Sequence, residues 1–218
     1  MSEYKKTCWV LTEGMAGTEK QCTGLAAALG LDPVVKRVRL RAPWKQFSPW
    51  LRWGHRFALD AGSDLVTPPW PDVLIASGRK SIGIALDIKK RSPKTFLVQV
   101  QDPRIGAEAF DLVVVPEHDP LRGDNVMVTK GALHGVTPVA LEQAGAAWRD
   151  KLAHLPSPRV AVLIGGTSRA HQMTLTAAKG LVEDVQRIGG GLMVTASRRT
   201  GAENLAFLRD TLKGPDVF

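Results

Sequence analysis

Short apolar runs recur along the chain, and each ends in a glycine or polar turn before a stretch with helical spacing begins. The clearest is Val160 to Ile164, unbroken, followed by Gly165-Gly166-Thr167-Ser168 and a helical pattern from about Gln172. An apolar run without alternation marks a strand buried on both faces of a parallel sheet. Similar runs predict strands at 7–12, 72–76, 95–101, 111–115, 125–129 and 192–196, and the alternation of 33–40 predicts another. The first helix is predicted to start at Thr18 as N-cap, with Gln21 completing a capping box, and to stop at Gly30. Further helices are predicted after Ser77-Gly78-Arg79-Lys80 and over about 138–152, 172–188 and 201–212. Such alternation of strand and helix implies parallel sheets covered on both faces.

Leu155-Pro156-Ser157-Pro158 has the composition of an interdomain hinge. It separates a Rossmann-like domain, 1–155, from the start of a second Rossmann-like domain, 156–218. Two strands and two helices are too few for a doubly wound domain, so the second domain is expected to be incomplete, a truncated part of a longer unit.

Composition narrows the class. Hydrophobic residues make up 44% of the 218, yet no run of about 18 apolar residues suggests a spanning helix. The opening Met-Ser-Glu-Tyr-Lys-Lys lacks the apolar core of a signal peptide, which points to a cytoplasmic protein. Cys8 and Cys22 fit neither a CxxC nor a metal-ligand spacing and read as free thiols. The net charge of +8 is concentrated: Lys36 to Arg56 holds seven Lys or Arg and no Asp or Glu, which favours anionic partners.

Loops at the C-terminal ends of parallel strands are where α/β proteins hold ligands. Gly165, Gly166, Thr167 and Ser168 follow one such strand, and Arg198 and Arg199 follow the next. Glycine backbone beside paired arginines suits a diphosphate, although a glycine pair also serves as a simple tight turn and surface arginines as solvated charge. No GxGxxG follows the first strand and no GxxxxGK[ST] occurs, so dinucleotide and P-loop readings lose ground. His118, between Glu117 and Asp119, is the leading candidate general base, with Glu13 in the first strand-end loop as the alternative; a loop histidine bonded to its acidic neighbours is the simpler reading. No metal site is expected. The segment 43–59 places Trp44 and Phe47 on one helical face, broadened by Trp50, Trp53 and Phe57, near Lys45, Arg52 and Arg56. That pattern fits peripheral contact with a membrane or, alternatively, a core helix with exposed basic residues. Nucleic acid is disfavoured because no RNP, KH or zinc-finger pattern accompanies the charge.

Gln101-Asp-Pro-Arg104, Phe110 to Asp119, Arg122-Gly123 with Asn125-Val126, Ile164 to Ser168 and Thr195 to Thr200, in this order, resemble the mitochondrial fission Elm family of plants and its bacterial relatives. The Gly14…Gln21 loop and Gly24-Leu25 also look like the family's first turn. The resemblance spans nearly the whole chain. It implies an α/β, GT-B-like architecture of two Rossmann-like parallel-sheet domains, as in nucleotide-sugar glycosyltransferases, with the diphosphate on the second domain and the acceptor mostly on the first. A nucleotide-sugar donor, a membrane or envelope acceptor and no separate cofactor would follow. The epimerase label given to some bacterial members finds no support, since the lone Tyr4 cannot form a Tyr-x-x-x-Lys motif. The plant members imply the alternative, a non-enzymatic peripheral adaptor that recruits a dynamin-related GTPase. Family members continue beyond the point where this chain stops, through the rest of the second domain.

Overall fold

The computed structural model describes residues 5–51, 54, 57–168 and 170–218. The elements are β1 (Cys8–Thr12), α1 (Ala16–Ala28), β2 (Pro33–Arg37), a one-turn α2 (Trp44–Phe47), β3 (Val73–Ser77), α3 (Ile82–Arg91), β4 (Phe96–Val100), β5 (Leu112–Pro116), β6 (Val126–Thr129), α4 (Pro138–Trp148), β7 (Arg159–Ile164), α5 (Leu175–Ile188), β8 (Gly191–Ala196) and α6 (Ala202–Thr211). They form two compact units, Met1–Val136 and Thr137–Phe218. The division falls ahead of α4, so that helix groups with the second unit, whereas the sequence places the hinge after it, at 155–158.

The first unit is a six-stranded sheet in the order β2-β1-β3-β4-β5-β6, with every pairing parallel. Alternate residues of each strand serve opposite faces. Trp9, Leu11, Leu74, Ala76, Leu97, Val113 and Val115 pack with Ile82, Ala85 and Ile88 around α3. Cys8, Val10, Ile75, Val98, Val100 and Val114 pack with Cys22 and Ala26 of α1. Two-sided burial is why the strands read as unbroken apolar runs, and each fully buried Leu or Ile contributes roughly 2 kcal/mol relative to exposure. Both cysteines lie in the α1 layer; burial pushes the Cys8 thiol up to about 11 and the Cys22 thiol up to about 12, so both stay protonated.

Helix α1 starts earlier than its sequence suggests. Ala16 opens it, and Thr18 sits inside the first turn, where its hydroxyl donates to the Met15 carbonyl (3.0 Å) instead of capping. The C-terminus follows expectation. Gly30 takes φ +68°, its N–H donates to Ala27 O (3.0 Å), and the Leu31 N–H donates to Ala26 O (2.9 Å). That is the paired hydrogen-bond arrangement of a Schellman stop, which needs a residue at ease in the left-handed region.

The aromatic-basic segment does not continue as one amphipathic helix. Helix α2 ends at Phe47 because Pro49 forces Ser48 into extended backbone, ψ 137°. Trp44 packs on the core, whereas Phe47 and Trp50 are 60% and 64% exposed. Trp53 lies outside the described residues. Among the described residues no helix is long and apolar enough to cross a membrane.

In the second unit β7 and β8 pair in parallel, from Arg159 opposite Gly191 to Ile164 opposite Ala196. Ile164, Val182, Val185, Leu192, Leu208 and Leu212 form its core, with α5 and α6 covering one face. Helix α5 begins at Leu175, three residues later than expected, because Thr174 caps it by accepting the Ala177 N–H (3.1 Å). The turn after β7 is pressed onto the turn after β8. Thr167 N–H donates to Arg199 O (2.9 Å), Thr200 Oγ1 donates to Gly165 O (2.6 Å), and a Cβ on Gly166 would lie 2.0 Å from the Arg199 carbonyl carbon.

Gly30→Ala meets no atom within 4 Å, so its cost is that of left-handed backbone alone, about 1 kcal/mol in urea unfolding. Gly166→Ala must displace the backbone of 199–200 and is expected to cost about 2–3 kcal/mol, read as faster hydrogen exchange in β7 and β8. Gly165→Ala, with nothing within 4 Å of its Cβ, should stay within about 0.5 kcal/mol of wild type.

Candidate functional site

In the first unit the chain leaves β1 toward β2 on one side and reaches β3 on the other. The loops after β1 and β3 therefore diverge, the arrangement in which a parallel sheet opens a crevice at its C-terminal edge. Glu13 bridges the divergence: its Oε1 accepts the Lys80 N–H (2.8 Å) and its Oε2 pairs with Lys80 Nζ (2.9 Å). Both carboxylate oxygens are thus engaged by the β3–α3 loop, and the carboxylate sits against Gly78. Glu13 and Lys80 border a cavity of about 280 Å³ shared with Arg39, Lys45 and Asp60.

A larger pocket of about 410 Å³ lies over the ends of β3, β4 and β5. His118 stands on its wall, exposed, in the turn closed by the Asp119 N–H donating to Pro116 O (2.9 Å). No hydrogen bond joins His118 to Glu117 or Asp119 among the described residues. The turn is held from behind by Arg122, whose guanidinium donates to the carbonyls of Glu117, Asp119 and Leu121. Asn125 fixes the preceding segment by donating to Ala107 O (2.8 Å) and Phe110 O (2.9 Å). The two candidate bases are therefore not brought together: His118 faces the larger pocket and Glu13 the smaller.

The Asp102-Pro103-Arg104 loop forms the next wall. Asp102 Oδ1 accepts the Arg104 N–H (2.7 Å), and its Oδ2 lies 3.5 Å from Arg104 Nε. Gln101 and Arg104 hold positive φ, +73° and +61°. Left-handed backbone at residues other than glycine costs on the order of 1 kcal/mol each and is met at ligand-binding loops. Gln101 Nε2 donates to Gln21 Oε1 (3.3 Å), so Gln21 belongs to the pocket wall and not to a capping box.

Gln99 was not singled out by the sequence. It sits in β4, 1% exposed, and lines the same pocket. Its Nε2 donates to Val100 O (3.1 Å), which fixes the amide orientation, and its Oε1 has no hydrogen-bond partner among the described residues. Ser77 Oγ is the other such atom among them, but Ser77 meets the Cys22 thiol. The available signal for Gln99 was a lone carboxamide inside the apolar run Phe96-Leu-Val-Gln-Val100.

In the second unit, the loops carrying Gly165, Gly166, Thr167 and Ser168 and carrying Arg198 and Arg199 are neighbours, as strand order required. Their amides are less available than a phosphate nest demands. Thr167 N–H is taken by Arg199 O, and Ser168 N–H by His171 O (2.8 Å). Thr167 Oγ1 accepts the Met173 N–H, and Ser168 Oγ accepts those of Ala170 and His171. Arg198 and Arg199 are exposed, and neither guanidinium makes an ion pair among the described residues. No group of three or more His, Cys, Asp or Glu able to hold a metal ion occurs among the described residues.

Residues 16–218 match the family described as Mitochondrial fission ELM1. The chain is 28% identical over 272 aligned residues to Mitochondrial fission protein ELM1 of Arabidopsis thaliana, a match covering 89% of this chain and 64% of the plant protein. It thus spans less than two thirds of that relative's length. The protein RP120 of Rickettsia prowazekii (strain Madrid E) is 32% identical over 56 residues, 26% of this chain and 16% of its own. The family match runs from α1 through Phe218 and takes in the Gln101–Arg104 loop, the His118 turn and both second-unit turns: the chain belongs to the mitochondrial fission ELM1 family.

Proposed function

We propose that this family member is a glycosyltransferase-like enzyme of GT-B type. The second unit takes a nucleotide-diphosphate sugar at Gly165, Gly166, Thr167, Ser168, Arg198 and Arg199, and the first unit takes a hydroxyl acceptor, such as a membrane or envelope glycan, in its larger pocket. The observation that carries this reading is His118, an exposed imidazole on the wall of an open, polar pocket at the C-terminal edge of a parallel sheet. In the reaction the acceptor oxygen bonds to the anomeric carbon of the donor sugar. The bond from that carbon to the diphosphate oxygen breaks, its electron pair leaves with the nucleoside diphosphate, and the acceptor proton passes to His118. Arg198 and Arg199 stabilise the charge on the departing diphosphate, and carry more of that task than the loop amides because Thr167 and Ser168 N–H groups are engaged inside the loops. Glu13, whose carboxylate is held by Lys80, is a positioning residue in this scheme.

Phe47 and Trp50 favour a second reading. Two large rings more than half exposed, close in sequence to Lys45, suit a peripheral adaptor seated on a membrane surface or on a protein partner, in keeping with the plant relative's name.

Thermal unfolding against UDP-, GDP- and CMP-sugars separates the two. A donor at a hundred times its Kd stabilises the native state by about 2.7 kcal/mol, a shift of several degrees. The shift is expected with one nucleotide class and is expected to disappear in Arg198→Ala and Arg199→Ala. A folded protein that shifts with no nucleotide sugar overturns the donor site and leaves the adaptor.

A further inference from the structure

We propose that the larger pocket of the first unit is a carbohydrate site, selective for an uncharged, hydroxyl-rich ring of monosaccharide size. The inference deepens the transferase reading and rests on it only in naming the acceptor as a sugar; the binding itself needs neither a donor nor turnover.

The floor decides the polarity of the ligand. Gln99 is buried among the residues that line the pocket, its amide is oriented by the bond from Nε2 to Val100 O, and Oε1 is left as an acceptor without a partner among the described residues. An unpaired buried acceptor is costly until something donates to it. A carboxylate or a fully ionised phosphate has no proton to give; a hydroxyl does.

The walls decide the charge. Arg79 and Arg104 bring two positive charges, and Asp102 and Asp119 bring two negative ones. Asp102 is already turned toward Arg104. A strongly anionic ligand would meet two carboxylates, and a cation two guanidinium groups. A ring of hydroxyls, each both donor and acceptor, suits carboxamide, carboxylate and guanidinium groups together. Gln21 and Gln101, joined to each other at 3.3 Å, add two more planar amides at the rim.

Shape separates a sugar from a base. Among the described residues lining the pocket only His118 has an aromatic ring, so the two-sided stacking that a nucleobase uses is absent. Pro116 and Ala132 give small apolar surfaces instead. A volume of about 410 Å³ admits a monosaccharide with its linkage atoms and some water. The left-handed backbone at Gln101 and Arg104 shapes this wall.

Saturation-transfer NMR on the full chain, with a panel of methyl hexopyranosides at millimolar concentration, tests the site. Inorganic phosphate, a nucleoside monophosphate and vesicles bearing a glycosylated lipid headgroup run alongside. At least one methyl glycoside, or the glycolipid vesicle, is expected to bind, the two arms telling a free sugar from a lipid-borne one. Gln99→Leu, which removes the bare acceptor and puts an apolar side chain of similar size in β4, is expected to weaken binding about tenfold in a chain that is no less thermally stable. Asp119→Asn, at a residue outside the core, gives the same test without touching β4. Binding of phosphate or nucleotide with no glycoside bound overturns the inference, and so does glycoside binding indifferent to both variants. Sugar binding without transfer from any nucleotide sugar removes the transferase and keeps the site. Transfer that proceeds unchanged in both variants does the reverse.

Discussion

A parallel sheet needs cover on both faces, and in the first unit everything else follows from that constraint. Strand β1 sits inside the sheet with β2 on one side and β3 on the other, and its residues alternate between the layer of α1 and the layer of α3. To cover both faces the chain must reverse its direction of travel across the sheet after β2. The reversal parts the loops at the C-terminal edge, where backbone and side chains are free to meet a ligand. Glu13 ties the parted loops through Lys80 with a backbone hydrogen bond and an ion pair. That pairing gives the carboxylate at the end of the first strand a structural partner in Lys80.

The same constraint makes polar residues in the strands informative. Inside a two-sided sheet a side chain amide loses water and must be compensated. Ser77 Oγ and Gln99 Oε1 are both left without a hydrogen-bond partner among the described residues, and of the two residues only Gln99 lines the pocket. Backbone strain at Gln101 and Arg104 lies in the next loop along, whose later part Asn125 fixes, and Arg122 braces the loop after that. Energy that the core supplies by burial is used, over these few residues, to hold a polar surface in one conformation.

The second unit treats its glycines differently. Gly166 lets two strand-end turns approach to contact distance, and the amides that could have cradled an anion bond across or within those turns. With the Thr167 and Ser168 N–H groups engaged, the exposed guanidinium groups at Arg198 and Arg199 are the main charge offered to an anion. Gly166 thus has a packing role whatever the ligand, Gly165 has none, and only three-dimensional proximity reveals which atoms the missing Cβ makes room for.

The sequence by itself determined where the strands lie: β1, β3, β4, β5, β7 and β8 all fall where apolar runs stand. Two-sided burial is the reason in the first unit, but not for β7, which the sequence expected to be buried on both faces and which alternates, with Leu163 80% exposed on the face that α5 and α6 do not cover. The sequence also determined the stop of α1 at Gly30, because one left-handed residue carries the signal, and it placed His118 and the Arg198-Arg199 pair at strand ends. Helix starts were less legible. Thr18 and Gln21 have the spacing of a capping box, yet the chain turns earlier, and Gln21 is drawn to Gln101, eighty residues away in sequence. The run of tryptophans from Trp44 hid a break at Pro49, because periodicity outweighed a local steric rule. Tertiary structure alone decided which loops share a pocket: that Glu13 and His118 face different cavities, that Gln99 opens onto one of them, and that Gly166 lies under Arg199. Those are contacts between distant segments, set by strand order, and strand order is not written in any local pattern of polar and apolar residues.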